Sequence, residues 1–93
     1  MADIIYVSCI VANGIFESEF YITVRESAVY VDREKVRVEH APLNGDKVKG
    51  KVLAYFIEEN SDGRVLVELP GEPVVGGLRA WIPKDELTYA KTA

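Results

Sequence analysis

The sequence predicts an all-β fold, a small barrel of six or seven mostly antiparallel strands making one domain of residues 1–93. Three observations carry this reading. Apolar residues recur at every second position along most of the chain, the spacing that gathers them on one face of a strand. Clusters of Gly, Asn, Asp and Pro interrupt that alternation at short intervals, as turns between strands do. Helical periodicity is nearly absent. With 48% apolar and 28% charged residues, the composition is that of a globular domain rather than a disordered chain.

Each element follows from its own pattern. Residues 3–12 place Ile5, Val7, Cys9 and Val11 on one face and Ile4, Tyr6, Ser8 and Ile10 on the other. A strand that is apolar on both faces is expected at the centre of a sheet. Asn13-Gly14 suits a two-residue type I′ turn, whose central positions both need positive φ. Residues 15–25 then set Phe16, Ser18, Phe20, Ile22 and Val24 against Glu17, Glu19, Tyr21, Thr23 and Arg25. Residues 3–25 are therefore expected to form one long hairpin. Two short strands follow at 28–31 and 35–39, with Asp32-Arg33-Glu34 as the turn between them. "HAPLNGD" reads as a loop.

In "DKVKGKVLAYFIEE", Val48, Val52, Ala54 and Phe56 share one face. Lys47, Lys49, Lys51, Leu53, Tyr55 and Ile57 share the other. This strand is expected to start exposed and become buried on both faces, with Gly50 allowing a bend or bulge. "NSDG" is a turn, "RVLVELP" a strand, "GEPVVGG" a loop and "LRAWIP" the last clear strand. "KDEL" is expected to form a short 3₁₀ turn, and "TYAKTA" to end as an edge strand or fray.

Residues 45–87 resemble an SH3-like barrel in three features: "GDKVKGKV" as the first strand, a hairpin across "ENSDG", and "WIPKDEL" as a strand followed by a helical turn. The resemblance implies an SH3-like portion at 45–89, to which the hairpin of 3–25 is added. The acidic and tryptophan-rich ligand loops of signalling SH3 domains are missing. Recognition of proline-rich peptides is therefore not implied.

The net charge of −4 is spread along the chain. Residues 1–45 hold four basic and seven acidic side chains, and residues 46–93 hold seven and eight. That balance disfavours duplex nucleic acid, whose binding rests on phosphate neutralisation. The apolar run of 4–12 is too short to span a bilayer, no basic residue precedes Arg25, and a cytoplasmic protein without membrane contact is expected.

The sequence carries no catalytic, metal or cofactor signature, so a non-enzymatic interaction module without cofactor is expected. Cys9 is the only cysteine and reads as a small apolar residue within a strand. His40, the only histidine, does not suggest a zinc site with one distant cysteine, since such sites need three or four protein ligands. Glu17 and Glu19 read as a solvated strand face. Trp81 shares a face with Arg79, opposite Leu78, Ala80 and Ile82. A large indole is usually mostly buried, which favours a lid over the barrel end. If exposed, it is an aromatic platform of the kind enriched at binding hot spots.

The expected binding surface is Trp81, Arg79 and Tyr55 together with Glu72 and Val74 of the 70–77 loop, taking an unidentified protein or peptide. An uncovered apolar face on the first strand would also favour self-association into a homo-oligomer. The alternative is single-stranded nucleic acid held by Lys47, Lys49 and Lys51, with Tyr55 extending the stripe. Against it, lysines along an edge strand also serve to block edge-to-edge aggregation.

Overall fold

The computed structural model describes residues 4–43 and 45–89. Nine strands form one antiparallel sheet among them, curled into a half-barrel around a single apolar core. The strands are β1 (Ile4–Asn13), β2 (Glu19–Val24), β3 (Ser27–Asp32), β4 (Val36–Arg37), β5 (Val48–Glu59), β6 (Arg64–Glu68), β7 (Glu72–Val75), β8 (Arg79–Pro83) and β9 (Leu87–Tyr89). Their order across the sheet is β7-β3-β2-β1-β5-β6-β8. In addition, β4 pairs with β5 and β9 with β1. Short 3₁₀ turns at Arg33–Lys35 and Lys84–Glu86 precede β4 and β9.

Alternation decides which face is buried. Ile5, Val7 and Val11 of β1, Ile22 and Val29 of the next strands, and Val52, Val65, Val67 and Ile82 beyond them are all fully buried. These positions are all β-branched, which suits packing on a pleated surface. The first strand is central, as its composition predicts: it pairs with β5 along Ile4 to Val11, with β9 at Ile5 to Val7, and with β2 at Ile10 to Asn13. Its second face stays open, with Ile4 and Ile10 exposed.

Several expectations need correction. Asn13 pairs with Phe20, so residues 14–18 form a longer loop in place of a two-residue turn. The Gly14 N–H donates to the Glu19 carbonyl at 3.3 Å, and Gly14 is not in the positive-φ region. The 3–25 hairpin is correspondingly short, because β9 takes the place of β2 along the first half of β1. Glu19 faces the loop rather than open solvent, accepting from the Ile15 N–H at 3.3 Å. Ile15 and Phe16, expected within a strand, are exposed at the loop.

The strand expected at 35–39 contracts to Val36 and Arg37, following a 3₁₀ turn. In β5 the register runs unbroken through Gly50, and the irregularity falls between Phe56 and Glu58. Gly50 serves close approach: a methyl there would come within 2.7 Å of Val38 and 2.8 Å of Val11. The later part of β5 is not buried on both faces, since Tyr55 and Ile57 are exposed. The 3₁₀ turn of "KDEL" forms as expected. "TYAKTA" is strand as far as Tyr89, and its remainder lies outside the described residues.

"GEPVVGG" contains a strand where a loop is expected. The β6–β8 hairpin continues through a Leu69 N–H to Leu78 carbonyl bond of 2.7 Å. Beyond it, Gly71, Gly76 and Gly77 at positive φ turn the tip so that β7 pairs with β3. The buried Ser27 hydroxyl donates to the Gly76 carbonyl at 3.4 Å. One hairpin thus supplies strands to both ends of the sheet order and curls it.

Candidate functional site

The outer face of β1, β5, β6 and β8 brings most of the sequence-predicted residues together. Ile4, Tyr55, Glu68 and Arg79 lie directly opposite one another on four successive strands. The next row along β6 and β8 pairs Leu66 with Trp81. Trp81 is 41% exposed, so the expectation of a buried lid is wrong. Its face was legible, but nothing in the neighbouring sequence says whether another layer covers that face. Arg79 is held beside it by Glu68, with Nε to Oε1 at 3.2 Å. Both partners are exposed, so this pair orients Arg79 more than it stabilises the fold.

Glu72 and Val74 lie elsewhere. They are exposed on β7, where Glu72 sits opposite Tyr30 of β3. The shallow groove beside Glu72 is lined by Ile15, Phe16, Tyr30 and Lys35, and includes none of Trp81, Arg79 and Tyr55. The expected five-residue surface is therefore two separate places.

The lysine stripe extends the Tyr55 face. Along β5 the outward side chains run Lys49, Lys51, Leu53, Tyr55, a span of about 20 Å at strand rise. Lys49 faces Ile10, and Lys51 sits between Ser8 of β1 and Arg37 of β4. Lys47 precedes the strand and does not line the groove there. That groove, of about 1010 Å³, also takes in Arg25, Arg37 and His40, which sequence reasoning missed. They come from two segments, at residue 25 and at residues 37–40, both distant from the lysines in the chain, so only the strand order reveals the cluster. The Arg37 guanidinium lies 4.3 Å from the Tyr6 ring centroid, and Lys51 Nζ donates to the Thr88 hydroxyl at 2.9 Å. Arg25 pairs with Glu86 at the groove wall.

Cys9 and His40 both line this groove, but Cys9 is only 6% exposed. Burial pushes its thiol up to about 12 from 9.0, away from the thiolate that nucleophilic chemistry uses. Below pH 9 the folded and unfolded chains both keep this proton. Between pH 9 and about 12 only the unfolded chain releases it, so stability falls as pH rises, by up to about 1.4 kcal/mol per pH unit. Chemical denaturation across that range should show this slope in the parent and not in Cys9→Ala. Equal slopes in the two proteins would contradict the burial of the thiol.

Among the described residues, no three His, Cys, Asp or Glu side chains converge as a metal-ligand set. Among these residues no helix is long and apolar enough to cross a membrane. No family model, curated protein or solved structure matches this chain.

Proposed function

We propose that this chain is a non-enzymatic interaction module that takes an extended segment of a protein or peptide along the open edge of β8, beside Trp81. The observation that carries the reading is an exposed tryptophan on a strand whose one neighbour among the described strands is β6. Exposed edges invite pairing with another chain, and strand addition is a common mode of peptide recognition.

The phase of the ladder supports it. At one end Leu69 donates to Leu78, and at the other Lys84 donates to the Gly63 carbonyl at 3.2 Å. Antiparallel partners alternate between bonded and non-bonded pairs. Counting from either end, Ala80 and Ile82 face β6, while Arg79, Trp81 and Pro83 turn their backbone groups to the open edge. Pro83 lacks an N–H where none is needed for the ladder, which is the usual place for proline in a sheet. A partner strand would bond Arg79 and Trp81 and rest its side chains on Trp81 and Arg79. The features of 45–89, a strand at "GDKVKGKV", the turn at "NSDG" and a strand leading into a 3₁₀ turn, support an SH3-like barrel as its frame.

Amide hydrogen exchange tests this without knowing the natural partner. In the free protein, Arg79 and Trp81 amides should exchange quickly and those of Ala80 and Ile82 slowly. Peptides selected on the immobilised protein from a random library should protect the first pair. Trp81→Ala should weaken such binding by at least about 2 kcal/mol, roughly thirtyfold in Kd. Selected peptides that leave Arg79 and Trp81 unprotected would reject the edge. Concentration-dependent protection without peptide would identify the partner as a second copy.

A further inference from the structure

We infer that the groove over β1 and β5 binds single-stranded nucleic acid, with Arg37, Lys49 and Lys51 holding phosphates and the Arg37–Tyr6 stack and Tyr55 receiving bases. This site is separate from the β8 edge and does not depend on it. Charge is the first argument. In a chain of net −4, this groove gathers Arg25, Arg37, Lys49 and Lys51 against two carboxylates, Glu39 and Glu86. Glu86 is taken by Arg25. Among the described residues, Arg37, Lys49 and Lys51 have no carboxylate partner.

The second argument narrows the bland explanation for the lysines. Lys51 does not protect an edge, because β1 pairs on one side of it and β4 on the other, whereas beside Lys49 only β1 pairs among the described residues.

The class of ligand follows from how little backbone and how much charge the groove offers. Among the described residues, the stretches flooring it that lack a second strand neighbour are Ser8–Cys9 of β1 and Val48–Gly50 of β5, too short to hold an acidic peptide by strand addition alone. Recognition rests on side chains, and the cations of the lining, with the Tyr6 ring under Arg37 and Tyr55 further along β5, suit a phosphate backbone carrying planar bases. The surface is concave, whereas duplex DNA is read by an element that protrudes into its major groove.

Fluorescence anisotropy with a labelled oligothymidylate and a labelled oligouridylate tests this directly. Three phosphate contacts predict that log Kobs falls with log salt at a slope of about −2, near −0.7 per phosphate on a single strand. Lys49→Gln and Lys51→Gln should each lessen that slope by about 0.7, and the double charge reversal to Glu should weaken binding at least tenfold. Trp81→Ala should leave both quantities unchanged, which separates this site from the β8 edge. Lys49 and Lys51 are exposed, and an unaltered thermal midpoint checks that the variants fold. No anisotropy change at low salt would overturn the proposal. So would an unaltered slope in the lysine variants, tighter binding of a matched duplex, or equal competition by polyglutamate.

Discussion

Ile82→Ala should lower the stability of the domain by about 2–5 kcal/mol, the range for truncating a large buried aliphatic side chain. Ile82 is fully buried, faces Val65 across the β6–β8 ladder and belongs to the one core that the sheet encloses. Among the described strands its own has no second neighbour to hold it in place, so lost packing there is not made good by the ladder. At about 4–8 °C per kcal/mol for a domain of this size, the thermal midpoint should fall by about 8 °C or more. The adjacent Trp81→Ala should cost about 1–2 kcal/mol, since the indole is partly exposed and leaves no closed cavity. Binding at the β8 edge should rank the two variants in the opposite order. Thermal denaturation of both proteins checks the pair, and a larger loss for Trp81→Ala would mean that the faces of β8 are assigned the wrong way round.

That contrast marks what was legible in the sequence. Which residues share a face depends only on chain neighbours, so Ile5, Val7, Cys9 and Val11, or Ala80 and Ile82 against Arg79 and Trp81, could be read directly. Where pairing stops could not. The alternation of "IFESEF" continues through Ile15 and Phe16, yet both lie in a loop, because β9 takes the first half of β1 and leaves β2 only the second. The groove was half legible for the same reason. Lys49 and Lys51 are a stripe on one strand, visible as a spacing of two. Arg25 and His40 join them only through the order of strands, which local patterning does not encode. Tyr55 belongs to both of the surfaces weighed in the sequence, and the fold makes those surfaces neighbours along β5.

The glycines of "GEPVVGG" resisted reading because a loop and a close approach of two backbones both call for glycine, and Gly71→Ala separates these explanations. Gly71 has φ +95, where any L side chain is strained, and its added methyl would sit on the Tyr30 carbonyl oxygen and 3.2 Å from the Val31 Cα. Positive φ alone costs about 1–3 kcal/mol. The carbonyl belongs to a paired strand and cannot swing aside, so β7 must lift from β3. The total should reach about 3 kcal/mol or more, in the upper range for single substitutions. Gly77→Ala supplies the comparison within the same hairpin: its φ is +76, but nothing lies within 4 Å of the added methyl. It should show the strain without the collision, and the difference between the two variants measures the contact of Gly71 with β3. Thermal denaturation gives that difference, and amide exchange at Val29, Tyr30 and Val31 locates it, since only Gly71→Ala should accelerate exchange there. If both variants lost the same stability and left those amides protected, Gly71 would be an ordinary turn glycine, and β7 would not be what joins the two ends of the sheet.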